Sequence, residues 1–65
     1  MGVFTDAVDV AEREGLDLDA LNDNLFMLVM HRRGRKWRRL TPEEERDLLR
    51  QAVALTRVAP RGIAH

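Results

Sequence analysis

The side chains best suited to binding chemistry are concentrated in one short stretch of the 65-residue chain, residues 31–39, called here the basic segment. It combines six cationic side chains with one tryptophan and one glycine. Arginine suits phosphate because its planar guanidinium donates two parallel hydrogen bonds. Cations that neutralise phosphates also release counterions, which favours binding. The pattern predicts a surface for a polyanion. Its candidate binding residues are Arg32, Arg33, Arg35, Lys36, Trp37, Arg38 and Arg39.

Two side chains in the basic segment have more than one possible role. The ring of Trp37 could stack on an unpaired base, a contact worth ~1–3 kcal/mol. Burial tendencies favour the alternative, in which Trp37 anchors the segment in the core. His31 lies beside several arginines at the start of the basic segment. As a single histidine near a helix end, it is more typical of a structural or solvated residue than of a ligand-binding one.

The charges are segregated along the chain although the net charge is zero. Residues 1–24 hold seven acids and one arginine, and residues 25–39 hold six cations and no acid. The basic segment could therefore bind nucleic acid, dock on an acidic protein surface, or pair with the chain's own acidic first helix. Exposed internal pairs would contribute only ~0–1 kcal/mol each. We favour nucleic acid, either DNA or RNA.

The sequence carries little that could support catalysis or hold a cofactor. It has no Cys, Ser or Tyr, and its three threonines have no adjacent histidine to activate them. No phosphate-cradling glycine loop is present. The acidic run from Asp17 to Asp23 is similar to the start of a calcium loop, but Leu28 stands where a bidentate glutamate is needed. We therefore predict a non-enzymatic protein without metal or cofactor.

Apolar spacing predicts one all-α domain of three helices across residues 1–65. Thr5 is the predicted N-cap of the first helix, because its hydroxyl can accept a free backbone N–H. Asp17 is the predicted cap of the second helix, and Thr41 with Glu44 forms a capping box for the third. The predicted helices span about residues 5–14, 18–31 and 42–58, with a basic connector at 31–39 and a loose tail at 60–65.

The stretch from Leu25 to Met30 is apolar on every side. A helix without a polar face must be buried all round, and two other short helices can hardly cover it. The sequence therefore predicts a homodimer. The predicted interface residues are Leu25, Phe26, Leu28, Val29, Leu49 and Val53. The alternative is a strand hairpin that turns at residues 33–34, but leucine and methionine favour helix here.

The remaining features concern location and source. No segment reaches the ~20 apolar residues that span a bilayer, and no basic leader precedes an apolar stretch, so we expect a cytoplasmic protein without membrane association. The strong preference for arginine over lysine indicates a GC-rich bacterial or phage source. Taken together, the predicted function is that of a small nucleic-acid-binding regulator or accessory protein. The alternative is a protein-binding module, such as a phage-encoded inhibitor or adaptor that docks on an acidic surface of a host complex.

Overall fold

A computed structural model describes residues 2–58 as three α-helices joined by two short connections. Helix α1 spans Val3–Glu14, α2 spans Leu18–Arg33 and α3 spans Pro42–Val58. Residues 2–58 contain no strand, so the three-helix prediction is confirmed and the hairpin alternative is wrong. No helix in this range is long and apolar enough to cross a membrane. The predicted tail at 60–65 lies outside the described residues.

Helix α1 begins earlier than predicted. Gly2 is its N-cap, and no side chain caps the helix. The carbonyl oxygen of Gly2 accepts hydrogen bonds from the backbone N–H groups of Thr5 and Asp6, at 3.1 and 3.3 Å. The predicted N-cap role of Thr5 is therefore wrong. Val3 is buried in the core, and this tertiary contact stabilises two additional helical residues that have no capping signal in the sequence.

Helix α2 begins as predicted and ends two residues later. Asp17 caps it, because its Oδ1 accepts hydrogen bonds from the N–H groups of Asp19 and Ala20 at 3.0 and 3.4 Å. The helix continues through Arg33, so the first three residues of the basic segment are helical rather than part of a connector. Cations are stabilised there because the C-terminal end of a helix carries a partial negative charge.

Helix α3 starts with the predicted capping box. The hydroxyl of Thr41 accepts a hydrogen bond from the N–H of Glu44 at 3.1 Å, and a Glu44 carboxylate oxygen accepts one from the N–H of Thr41 at 3.0 Å. Two backbone N–H groups that would otherwise be unpaired are thereby satisfied. The cap fixes the point at which the chain leaves the basic segment and turns into α3.

The core lies between α2 and the two other helices. Small alanines on α1 allow close approach, while leucines from α2 and α3 fill most of the space. The buried apolar residues are Val3, Ala7, Ala11, Leu21, Leu25, Val29, Leu40, Leu48 and Ala52. A part-buried polar contact joins α2 to α3, where the Asn24 side chain donates to the Thr56 hydroxyl at 2.9 Å. That hydroxyl donates to the Ala52 carbonyl at 2.7 Å, so the buried threonine is satisfied.

The apolar stretch in α2 is buried on one side only. Leu25 and Val29, one turn apart, lie in the core, whereas Phe26 and Met27 are 57% and 54% exposed. The two other helices therefore do not cover this stretch on every side, as predicted, and its cover by a second copy stays a prediction. The helix presents an ordinary buried face to α1 and α3, and two large apolar side chains on α2 remain largely open to solvent.

Candidate functional site

The connection between α2 and α3 is a tight turn built on Gly34. The N–H of Gly34 donates to the Met30 carbonyl at 3.1 Å, and the Gly34 carbonyl accepts from the N–H of Trp37 at 3.3 Å. The N–H of Arg38 donates to the Arg33 carbonyl at 3.3 Å. Gly34 has φ 72° and ψ −167°, a conformation that is essentially restricted to glycine. We call residues 34–39 the basic turn.

Trp37 lies within this turn and is largely exposed to solvent. Its backbone has φ 52°, in the left-handed region that costs a residue with a side chain roughly 1–2 kcal/mol. Its surface is 59% exposed, so the interpretation of Trp37 as an anchor in the core is wrong. Leu40, which is buried, provides that anchor. The ring thus lies largely outside the core, on a backbone conformation that is rare for an aromatic residue.

Two of the six cations of the basic segment bind one carboxylate. Arg38 donates to both Glu44 carboxylate oxygens, at 3.1 and 2.6 Å, and an Arg32 nitrogen lies 3.5 Å from the same group. The hydrogen bond from Arg38, followed by that from the Thr41 backbone, lowers the pKa of Glu44 to about 2. The same hydrogen bond raises the pKa of Arg38. Glu44 is therefore ionised at neutral pH and holds the two guanidinium groups together.

The other cations of the basic segment are not paired in this way. Arg35, Lys36 and Arg39 are exposed and form no ion pair with any residue between 2 and 58. Arg33 is partly buried and His31 is exposed. Among residues 2–58, internal pairing thus accounts for two of these cations, and their partner is Glu44 of α3 rather than the acidic first helix. Three cations and one tryptophan remain directed outward on a single turn.

Two arginines of α3 have acidic partners outside this surface. Arg50 lies 4.0 Å from Asp47 on its own helix, and Arg57 forms an ion pair with Glu14 of α1.

The role of Glu44 is the feature that the sequence does not predict. The capping box is visible in the sequence, but the contact between Glu44 and Arg38 depends on the path of the turn. Within residues 2–58, no group of three or more acidic or histidine side chains is placed to hold a metal ion.

The geometry defines a small three-helix domain that presents a cationic turn around an exposed tryptophan. The chain is similar to error-prone DNA polymerases from Bordetella parapertussis and Bordetella bronchiseptica. Each is 39% identical over 62 residues, a match that covers 88% of this chain and 6% of the polymerase. The chain thus corresponds to a small part of the length of these curated relatives. No family model and no solved structure matches the chain.

Proposed function

We propose that this chain is a cytoplasmic, non-enzymatic nucleic-acid-binding module that acts as a small regulator or accessory protein. The observation that carries the proposal is the basic turn, where Trp37 is exposed beside three cations that have no carboxylate partner among residues 2–58. The cations would hold phosphates, and the ring would stack on an unpaired base. Stacking on an aromatic platform tolerates any base, and phosphate contacts carry no sequence information, so the expected sequence specificity is weak.

DNA is the favoured nucleic acid. The two relatives are named as DNA polymerases, enzymes that by name act on DNA, and the matching segment includes most of this chain. A single strand is favoured over a duplex, because the site consists of one exposed ring on a short turn. Reading a duplex in the major groove generally requires a helix or a two-stranded ribbon that fits the groove. The exposed part of this site has neither.

The proposal predicts a defined salt dependence. Three outward cations should release about two to three counterions on binding. Affinity should then fall roughly twenty- to fortyfold between ~50 and ~200 mM salt. Fluorescence anisotropy with labelled single-stranded and duplex DNA, and with the matching RNA, measures both the slope and the preferred nucleic acid. Absence of binding at the lower salt concentration would overturn the proposal and would favour docking on an acidic protein surface.

Removing two outward cations should weaken binding. We expect the Arg35→Ala/Lys36→Ala variant to lose roughly tenfold in affinity and about 1.4–1.8 in the salt slope. The Arg46→Ala/Arg50→Ala variant removes the same charge from α3 and should stay close to wild type. Equal losses in the two variants would show that overall charge, rather than the basic turn, controls binding. Circular dichroism verifies that both variants remain helical.

Releasing the two paired cations should strengthen binding. Glutamine also serves in capping boxes, so the Glu44→Gln variant keeps the start of α3 while freeing Arg32 and Arg38 for phosphate. We expect roughly a tenfold gain in affinity and a salt slope steeper by about one to two. The Glu43→Gln variant removes an equal charge from an exposed position and should gain much less. Weaker binding by Glu44→Gln would mean that the ligand needs these arginines in their paired positions.

Self-association also belongs to the proposal, but its surface differs from the predicted one. Leu25 and Val29 lie in the chain's own core, and Leu28, Leu49 and Val53 pack partly buried against it. Of the six residues predicted for the interface, Phe26 alone is an exposed large apolar residue. A second copy would therefore meet Phe26 and the solvent-facing side of α2 rather than the face that binds α3.

A further inference from the structure

A second charged surface lies on α1. It is an open groove of about 640 Å³, formed where α1 meets the beginning of α2. Phe4 and Val8 are its apolar part, and both are partly exposed. The remaining residues that line it are Thr5, Asp6, Asp9, Glu12 and Asn22. Three of these are carboxylates, and none forms an ion pair with the part of the chain between residues 2 and 58.

The groove is complementary to one particular kind of ligand. Its apolar floor can accept an aromatic or aliphatic side chain, and its acidic rim can accept cations that flank that side chain. Burying an aromatic ring contributes much of the energy of typical interfaces, while opposite charges set the orientation and the rate of association. The ligand expected here is therefore a short cationic segment with an aromatic residue in it.

The basic turn of the same chain has this composition. Trp37 is exposed and lies among Arg35, Lys36 and Arg39, which have no carboxylate partner within the described range. Within one chain the turn and the groove make no ion pair with each other. We propose that the groove on α1 of one copy binds the basic turn of a second copy. The segregated charge of the sequence, acidic before residue 25 and basic up to residue 39, is the source of this complementarity.

Phe26 extends the same surface. It lies one helical turn beyond Asn22 on α2, and Asn22 is one of the residues that line the groove. The exposed ring of Phe26 therefore adds apolar area beside the acidic rim and is partly covered when a second copy binds. Because the basic turn is also the surface for nucleic acid, DNA and the second copy compete for it. Self-association itself does not rest on the proposed nucleic-acid function.

Charge reversal with complementation tests the proposal. Analytical ultracentrifugation of the wild type should show concentration-dependent association at ~50 mM salt that weakens at ~200 mM, because salt screens exposed charges. The groove variant Asp9→Lys/Glu12→Lys and the turn variant Arg35→Glu/Lys36→Glu should each be monomeric. Mixing the two should restore a complex, because the intact turn of one meets the intact groove of the other. The control Asp23→Lys/Asp47→Lys reverses exposed acids outside the groove and should associate like wild type.

Three results would overturn the proposal: a wild type that stays monomeric at low salt, a folded groove variant that still associates, or a mixture that forms no complex. If lysines unfold α1, the milder Asp9→Asn/Glu12→Gln variant should still weaken association severalfold, and unchanged association would count against the groove. The groove variant should bind DNA at least as well as wild type, since its basic turn is intact. Loss of self-association and loss of DNA binding are therefore separable.

Discussion

The Trp37→Gly variant is expected to bind single-stranded DNA roughly five- to 150-fold more weakly than wild type while remaining folded. Removing the ring eliminates the stacking contact, which is worth ~1–3 kcal/mol for each base. The outward cations stay in place, so the salt slope should be almost unchanged. Anisotropy titrations at several salt concentrations separate these two effects, because a stacking loss lowers affinity by the same factor at every concentration.

Glycine is the informative substitution at this position. The left-handed backbone of Trp37, φ 52°, strains any residue with a side chain by roughly 1–2 kcal/mol, and glycine adopts it freely. Glycine also gives the unfolded chain more freedom, which costs stability of similar size. The two effects oppose each other, so the unfolding midpoint in urea should move little. A Trp37→Ala variant would retain the strained backbone without the ring. A loss of binding by that variant would therefore not separate the stacking contact from a change in the turn.

A Trp37→Phe variant is the matched control, because it keeps an aromatic face and the same backbone requirement. It should retain most of the affinity for single strands. The stacking role would be contradicted by a Trp37→Gly variant that binds single-stranded DNA as tightly as wild type. It would also be contradicted by equal losses on single-stranded and duplex DNA, since a duplex offers no unpaired base. Either result would mean that the cations bind nucleic acid without a contribution from stacking on Trp37.

Helix ends governed by neighbouring residues could be predicted from the sequence. Asp17 caps α2 through a side chain two to three residues from its partners, and Thr41 and Glu44 form a capping box within a single turn. Such contacts need no information about the rest of the fold. The start of α1 could not be predicted in this way. The force that extends it to Val3 is burial against residues distant in the sequence.

The candidate site was predictable in composition and unpredictable in arrangement. The sequence alone identifies the basic segment and its tryptophan, but the exposure of Trp37 depends on Leu40 being the residue that reaches the core. The division of the cations into paired and outward groups depends on the turn that brings Arg38 to Glu44. The groove on α1 is less visible still, because acids at helical spacing are ordinary on a solvated face. The partly exposed Phe4 and Val8, which lie between these acids, distinguish the proposed groove from such a face.

The neighbouring variants Leu25→Ala and Phe26→Ala should behave in opposite ways, although both residues belong to one apolar stretch. Leu25 is fully buried in the core, and truncating such a leucine costs ~2–5 kcal/mol. A single core in a domain this small rarely supplies more than ~3–5 kcal/mol. The Leu25→Ala variant should therefore be largely unfolded at room temperature. Phe26→Ala should cost less than about 1 kcal/mol, as expected for an exposed side chain.

Urea unfolding followed by circular dichroism measures this difference. Repeating the measurement over a range of protein concentrations also tests whether association stabilises the fold. Stability that depends on association rises with concentration, so wild type and Phe26→Ala should coincide when dilute and diverge when concentrated. A large loss for Phe26→Ala even in dilute solution would mean that the chain never folds without a partner over α2. A small loss for Leu25→Ala would contradict the core itself, because Leu25 and Leu21 are the two α2 side chains that are completely buried.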